Sequence, residues 1–264
     1  MSFLYPFLRF VGHQHWIPGG RDRFIRLFAH PAEMPDRPFE VDFFGARYRG
    51  NLNNFIDWTV YFYGALAHNE LFVLRDIAAH LRGRGEEAVG YDIGANLGHH
   101  TLYMSLYFDR VCAFEPFGDV RRRIDEKIAL NGRTNVTVLP VALGDEDGSF
   151  LYYPPEDENP GTGTMAPVDG RDAVSAITVE THRADAMIAS GELPVPSVVK
   201  IDVEGYEPRV LRGFRETLVR ERPFILMELL ADTRGRLGGE EALRALLYDD
   251  AEIYEVANPR GKFD

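Results

Sequence analysis

The chain has 264 residues, 29 Lys and Arg against 41 Asp and Glu, and a formal net charge of −12. Hydrophobic residues make up 45% of it, enough to bury a core, so a largely disordered chain is excluded. Cys112 is the only cysteine, which excludes a disulfide scaffold and suits a reducing compartment. The acidic balance argues against non-specific nucleic-acid binding, and we expect a cytoplasmic protein.

The first 85 residues predict an α/β extension. Residues 39–48 alternate in polarity, which predicts a β-hairpin that turns near Gly45. Apolar residues recur at helical spacing over residues 55–81, which predicts one long helix. We therefore expect residues 1–85 to form an N-terminal extension that contacts substrate or a second copy of the chain. Residues 86–264 are expected to form the main domain.

The first eleven residues are apolar and aromatic, but Pro6 and Arg9 interrupt them and no signal-peptide pattern is present. We expect this segment to pack on the domain. Contact with a membrane surface is the alternative interpretation, through the apolar side chains Phe3, Leu4, Phe7 and Phe10. No stretch approaches the roughly 18 to 20 apolar residues of a membrane span, so no transmembrane segment is predicted.

Beyond residue 86, apolar strands alternate with amphipathic helices. Strands are predicted at residues 88–93, 110–115, 136–141, 197–202 and 224–228, and helices at 98–107, 120–130 and 208–219. This alternation predicts a doubly wound, mostly parallel α/β sheet that helices cover on both faces. Residues 252–256 are expected to supply a further strand near the C-terminus.

Acidic residues end four of these strands: Asp92, Glu115, Asp202 and Glu228. Ligands of such sheets bind at the carboxyl ends of the strands, so these side chains predict a binding site there. Residues 152–171 are rich in Pro, Gly and acids. They are interpreted either as a mobile loop over the site or as an excursion without function.

The turn from Asp92 to Gly98 carries the most specific signal. Gly94 and Gly98 allow a ligand to approach the backbone, but the third glycine of a dinucleotide fingerprint is missing. An acid two positions before Gly94 suits a cationic amino group rather than a phosphate. Glu115, at the next strand end, is suited to accept both hydroxyls of a ribose. Together these features predict S-adenosylmethionine as the ligand.

Four segments resemble the FkbM family of methyltransferases: residues 91–101, 114–116, 141–144 and 200–207, with the last block the most specific. The resemblance covers about residues 86–230. It implies a Rossmann-like sheet of the class I methyltransferase type, S-adenosylmethionine as the donor, and O-methylation of a sugar, glycan or natural-product hydroxyl. Glu70 corresponds to an acidic residue that the family places near the donor pocket.

The cofactor-binding residues predicted from these arguments are Glu70, Asp92, Gly94, Ala95, Asn96, Gly98, Thr101, Glu115, Pro116, Ala142, Leu143 and Asp202. Methyl transfer to a hydroxyl also needs a group that removes a proton.

Asp202 is expected to be this base or a positioning residue at the methyl end of the donor, with Glu204 as its partner. Glu204 alternatively caps the helix that begins near residue 208. Lys200 is expected to be the counter-ion of Asp202 or Glu228. His182 is a further base candidate.

His68, His99 and His100 are interpreted first as structural or cofactor-positioning residues. No metal-ligand motif appears, although Mg²⁺ held by Asp202, Glu204 and Glu228 stays open.

Other functions remain open at this stage. They are an N-methyltransferase or a lipid-modifying methyltransferase, a nicotinamide-dependent oxidoreductase, which the missing glycine disfavours, and a non-catalytic binding module. The expected partner is a small-molecule or glycan hydroxyl acceptor. Trp58, Tyr61 and Tyr63 form either a carbohydrate-stacking surface or part of a core.

Overall fold

The structure is a computed structural model that describes residues 3–14, 20–152, 177–228 and 239–256. Apart from Tyr152, the loop predicted at residues 152–171 lies outside the described residues.

The N-terminal region consists of helices around a hairpin. Its elements are α1 (Leu4–Gly12), α2 (Arg21–Phe28), β1 (Pro38–Phe43), β2 (Ala46–Asn51), α3 (Phe55–Tyr63) and α4 (His68–Gly83). The predicted hairpin is confirmed, with Phe43 paired to Ala46 across a two-residue turn. Phe44 and Gly45 both have positive φ, which is the geometry of a type I′ turn.

The main domain is built on a five-stranded parallel sheet. Its elements are β3 (Val89–Ile93), α5 (His99–Tyr107), β4 (Arg110–Phe114), α6 (Gly118–Leu130), β5 (Val136–Leu139), β6 (Ala142–Leu143), β7 (Gly148–Tyr152), β8 (Ile177–His182), α7 (Ala184–Ala189), β9 (Val198–Ile201), α8 (Glu207–Gly213), α9 (Arg215–Glu221), β10 (Phe224–Met227) and α10 (Glu240–Leu246). The order is β10-β9-β3-β4-β5, and a smaller sheet has the order β6-β8-β7.

The predicted doubly wound α/β class is confirmed. All residues of β3 and β9 are buried, because helices cover the sheet on both faces. The chain runs from β3 to β4 and β5 on one side, and β9 and β10 lie on the other. Strand order therefore reverses between β3 and β9, and a crevice is expected outside the carboxyl ends of these two strands.

The N-terminal region packs on α5 and α6. Phe43, Tyr48 and Leu71 share a buried cluster with Leu102 and Tyr103 of α5. The side chain of Asn131 also accepts a hydrogen bond from the Arg47 amide and donates one to the Arg47 carbonyl.

The predicted helices and terminal strand need correction. The helix predicted over residues 55–81 is two helices, because Gly64 and Ala67 adopt positive φ between α3 and α4. The helix predicted over 208–219 is likewise divided at Phe214. Residues 252–256 do not form a strand.

The proposed carbohydrate-stacking surface is also wrong for two of its members. Trp58 and Tyr63 are buried in the N-terminal core, and the Trp58 indole donates a hydrogen bond to the Ala29 carbonyl. Among the described helices, none has the length and apolar character needed to cross a membrane.

Candidate active site

A tight turn joins β3 to α5 at the carboxyl edge of the sheet. The amides of Gly94 and Ala95 both donate to the carbonyl of Phe114, the last residue of the neighbouring strand. Gly94, Asn96 and Gly98 adopt positive φ. The turn therefore depends on glycine at two positions where other residues would be strained.

Gly94 also touches the turn that follows β9. A Cβ atom added at Gly94 would lie 1.9 Å from the Asp202 carbonyl oxygen, which is backbone and cannot move aside easily. The absence of a side chain at residue 94 thus lets the β3 turn and the β9 turn come into direct contact.

Glu115 anchors the turn from the next strand. Its two carboxylate oxygens accept hydrogen bonds from the Asn96 amide and the Phe117 amide, both at 2.9 Å. Burial raises the pKa of Glu115 to about 7, although these two amides and Arg121 act in the opposite direction. Each carboxylate oxygen keeps a further lone pair, so the group can still accept hydrogen bonds from a ligand.

Asp92 lies beneath the turn and is fully buried. It accepts a 2.6 Å hydrogen bond from the Thr101 hydroxyl, and its other oxygen lies 3.2 Å from Lys200 Nζ. Asp92 and Lys200 are paired residues in the register of β3 and β9, which explains why their side chains meet. Sequence reasoning gave Lys200 only Asp202 or Glu228 as partner and missed Asp92.

Lys200 also joins Asp92 to Asp202. Its Nζ lies 3.5 Å from Asp202 Oδ2 and donates to the Gly94 carbonyl at 3.3 Å. Burial lowers the pKa of Lys200, but the charges of Asp92 and Asp202 outweigh it and the net direction is upward. The lysine is therefore positively charged between two carboxylates.

A side-chain hydrogen bond links Asp202 and Glu228, and the pKa values of the two acids shift in opposite directions. Burial raises the pKa of Asp202, but Lys200 and the hydrogen bond from Glu228 bring it below its usual range. Burial, together with the adjacent Asp202 charge, raises the pKa of Glu228 well above its usual range. Asp202 is therefore the ionised member of the pair and Glu228 the protonated one.

Glu204 and Glu207 take different roles in the turn after β9. Glu204 has positive φ, and burial and the Asp202 charge raise its pKa. Glu207 caps this turn, since it accepts hydrogen bonds from the amides of Val203 and Gly205 at 3.1 Å.

Two histidines open α5 near these acids. His100 Nε2 lies 3.4 Å from Glu70 Oε2, so α4 reaches the same region, and His100 is close enough to help to lower the pKa of Asp202. His99 is buried, and its Nε2 accepts a hydrogen bond from the Leu66 amide. Burial lowers the pKa of His99 well below its usual value, so it is neutral and structural.

Other predicted site residues lie in the smaller sheet. Ala142 and Leu143 of β6 are buried and pair with Thr181 and His182 of β8. His182 is partly exposed, and its Nδ1 lies 3.4 Å from Asp147 Oδ1. No contact recorded for His182 joins it to Asp202, so its role as a base stays a prediction.

The structure gives no support to a metal site. Across the described residues, no three His, Cys, Asp or Glu side chains are arranged to hold a metal ion. This includes Asp202, Glu204 and Glu228, which were considered as Mg²⁺ ligands.

The side chains at the carboxyl edge of the sheet fit a nucleoside ligand that carries a positive charge. Lys200 is already engaged by two carboxylates, so it is not available to a phosphate. Asp202, Glu70 and Glu204 contribute negative charge, and Glu115 offers acceptor oxygens at the end of β4. The fold and this carboxylate-rich edge define an α/β protein of the class I methyltransferase type.

Residues 92–253 match the family described as the methyltransferase FkbM domain, and the chain belongs to this family. Hexuronic acid methyltransferase AglP of Haloferax volcanii is 32% identical over 148 residues, covering 55% of this chain and 57% of that protein. Methyltransferase 1 of Beauveria bassiana is 28% identical, covering 55% of this chain and 65% of that protein. The chain thus spans less than two thirds of either relative.

Among solved structures, a methyltransferase FkbM from Methylobacillus flagellatus aligns with a TM-score of 0.41 and 18% identity. The alignment covers 61% of this chain and 38% of that one.

Proposed function

We propose that the protein is an S-adenosylmethionine-dependent methyltransferase that transfers the methyl group to a hydroxyl of a sugar or glycan. The observation that carries this proposal is the crevice edge itself. It presents Glu115 after β4 and the ionised Asp202 after β9, while Lys200, the cation beside them, is held by carboxylates. Such a set suits ribose hydroxyls and a positive sulfonium or ammonium group, and does not suit a pyrophosphate.

The proposed cofactor residues divide into those that contact the ligand and those that position others. Glu115 would accept the ribose hydroxyls, with Gly94, Ala95, Asn96, Gly98 and Pro116 shaping the backbone around them. Ala142 and Leu143 would line the same pocket from the smaller sheet. Asp92 and Thr101 are both fully buried, so we assign them to positioning: they hold Lys200 and the start of α5 in place.

Asp202 is the proposed base. When bound, S-adenosylmethionine supplies a methyl group on a positively charged sulfur. Asp202 would accept the proton of the acceptor hydroxyl as its oxygen forms the new bond to the methyl carbon, and the electron pair of the broken bond stays on sulfur. Lys200 and the protonated Glu228 keep Asp202 ionised before this step. Glu70 and Glu204 add negative charge that attracts the cationic donor.

The acceptor class is inferred from two sources. A relative that is 32% identical to this chain is named for hexuronic acid methylation, which supports a sugar acceptor. The ionised Asp202 supports a hydroxyl nucleophile, because a hydroxyl must lose its proton to a base during the reaction, whereas a neutral amine attacks without prior loss of a proton. We also propose the division into an extension over residues 1–85 and a catalytic domain over 86–264.

Calorimetric titration with S-adenosylmethionine tests the donor. We expect saturable binding that Glu115→Ala weakens by about tenfold or more, because a charge-assisted acceptor is worth about 1.5–3 kcal/mol. Glu216→Ala, an exposed acid on α9, is the control and should bind like the wild type. Absence of binding in the wild type, or NADH binding in its place, would reject the proposal. Mass spectrometry of products from a hexuronic acid glycan, compared with those from a glycan of amino sugars, then distinguishes O- from N-methylation.

A further inference from the structure

The N-terminal helices expose an unusual number of large apolar side chains. Phe3, Phe7 and Phe10 are 89%, 53% and 64% exposed, and Leu27 is 75% exposed. Phe24 and Phe28 are also exposed, and their rings contact each other. We call the six side chains, Phe3, Phe7, Phe10, Phe24, Leu27 and Phe28, the aromatic face.

Exposed apolar side chains are more concentrated on the aromatic face than on the rest of the described surface. The described residues contain thirteen exposed large apolar side chains, and six of them belong to the aromatic face. The other seven are spread over positions between 151 and 256. Isolated exposed apolar residues need no explanation, whereas a concentration of them indicates an interaction surface.

Helical spacing places these side chains on outward stripes. Phe3, Phe7 and Phe10 recur on one side of α1, and Phe24, Leu27 and Phe28 on one side of α2. The opposite sides are anchored, because Leu8 of α1 and Ile25 of α2 are fully buried in one shared cluster. The aromatic face is therefore a surface on two anchored helices.

The charge around the aromatic face is opposite to that of the whole chain. Residues 1–28 contain four arginines, and Asp22 is their one acid, whereas the chain has a net charge of −12. Arg23 is exposed at one edge of the α2 stripe, and Arg21 lies at the other edge with its guanidinium over the Tyr63 ring. Arg9 and Arg26 contact Tyr61 and Asp22 instead. The Asp22 carboxylate is partly exposed, accepts from the Tyr63 hydroxyl at 2.8 Å and is neutralised by its pair with Arg26.

We propose that α1 and α2 dock on the interfacial region of an anionic lipid bilayer. Aromatic and aliphatic side chains bordered by arginine are the features of helices that lie in this region, where apolar area and attraction to anionic lipid act together. A second copy of the chain fits less well, because a symmetric contact would bring the arginines of both copies together. This proposal does not depend on the proposed function.

Sedimentation with lipid vesicles tests the proposal. We expect the protein to bind vesicles of phosphatidylcholine with about 30% phosphatidylglycerol about tenfold more tightly than phosphatidylcholine alone. The double variant Phe7→Ser/Phe10→Ser should lose about tenfold in affinity, and Arg23→Glu a smaller factor. The matched controls are Tyr254→Ser, a highly exposed aromatic residue elsewhere, and Arg122→Glu on α6.

The readouts separate folding, self-association and donor binding from lipid binding. Thermal unfolding and calorimetry with S-adenosylmethionine should give the same values for the double variant and the wild type. The proposal is wrong if the wild type binds neither kind of vesicle. It is also wrong if Phe7→Ser/Phe10→Ser binds vesicles with the same affinity as Tyr254→Ser. It is equally wrong if light scattering without vesicles shows a dimer that the double variant breaks up and no vesicle binding occurs.

Discussion

Two carboxylates of this protein, Asp57 and Asp202, lie in contrasting surroundings. Asp57, in the N-terminal region, accepts from the Tyr48 hydroxyl at 2.7 Å and from the Asn51 amide at 2.8 Å. Asp202, at the carboxyl edge of the sheet, shares Lys200 with Asp92 and a proton with Glu228. The donors around Asp57 match its acceptors, whereas acids outnumber the cations around Asp202.

The contrast distinguishes a structural acid, Asp57, from the proposed base, Asp202. A fully buried carboxylate that accepts from a fixed donor on each oxygen stabilises the fold and is out of reach of a ligand. A carboxylate among other acids costs stability, but it attracts cations and exchanges protons readily. Burial also separates the two acids, because Asp57 is fully buried whereas the Asp202 side chain is 32% exposed and can be reached by a ligand.

The largest effect on stability should come from substitution of Asp57, whose oxygens both accept from buried donors. Asp57→Ala leaves the Tyr48 hydroxyl and the Asn51 amide buried without an acceptor, so we expect the free energy of unfolding to fall by about 3–5 kcal/mol. Asp76→Ala, an exposed acid of α4, should change it by less than about 0.5 kcal/mol. Denaturant unfolding measures both. Equal losses for the two variants would remove the distinction drawn above.

Substitution of Asp202 should lower the rate of methyl transfer rather than the free energy of unfolding. Asp202→Asn should slow methyl transfer by about 100-fold or more, because the proposed base is lost. Its free energy of unfolding should stay within about 1 kcal/mol of the wild type, since Lys200 keeps Asp92 as a partner and the amide oxygen of the new side chain can still accept a hydrogen bond from Glu228. Turnover and denaturant unfolding are measured beside Asp250→Asn, an exposed control. An active Asp202→Asn enzyme contradicts the assignment.

The sequence predicts the strands that carry this site, but it does not predict which side chains pair within it. Apolar runs that end in acids located β3, β4, β9 and β10, because strands of a covered parallel sheet are apolar throughout. The ion pair of Asp92 with Lys200 needs the register of two strands that are distant in sequence. One feature of the sequence could have predicted this ion pair: Asp92 and Lys200 each precede the isoleucine that ends its strand, so they occupy equivalent positions.

The turn after β9 and the N-terminal region were harder to predict. Sequence reasoning made Glu204 the partner of Asp202 or, alternatively, the helix cap, and it left Glu228 out of the catalytic set. Capping by Glu207 depends on the positive φ of Glu204 and Gly205, which the sequence does not reveal. The full burial of Asp57 depends equally on packing between β2 and α3.

A positioning residue of the crevice gives an intermediate effect. Thr101→Val removes the donor to Asp92 Oδ2, so we expect a loss of about 1–3 kcal/mol in the free energy of unfolding. Thr59→Val is the matched control. Its hydroxyl donates to the Phe55 carbonyl within α3, and its removal should cost less than about 1 kcal/mol. If both variants lose the same amount, the Thr101 hydroxyl has no particular role in holding Asp92.

The smallest effect concerns the pH dependence of Glu115. Its pKa of about 7 lies above its ordinary value, so its contribution to stability is present below about pH 4.5 and is lost as the pH rises through about 7. The ionised form is the better acceptor, so affinity for 5′-methylthioadenosine should rise by up to about tenfold from pH 6 to 8. Calorimetry on Glu115→Gln should show a flat profile, and on Glu216→Gln an unchanged one.

The close approach of Gly94 to the Asp202 carbonyl links the two halves of the crevice mechanically. The loop that would cradle the nucleoside and the loop that carries the acid rest against each other with no side chain between them. A substitution that reshapes the first must also displace the second. A change in the proposed preference for the methyl donor would therefore also affect the proposed chemistry at the acceptor. Engineering one of these properties alone would require compensating substitutions in both loops.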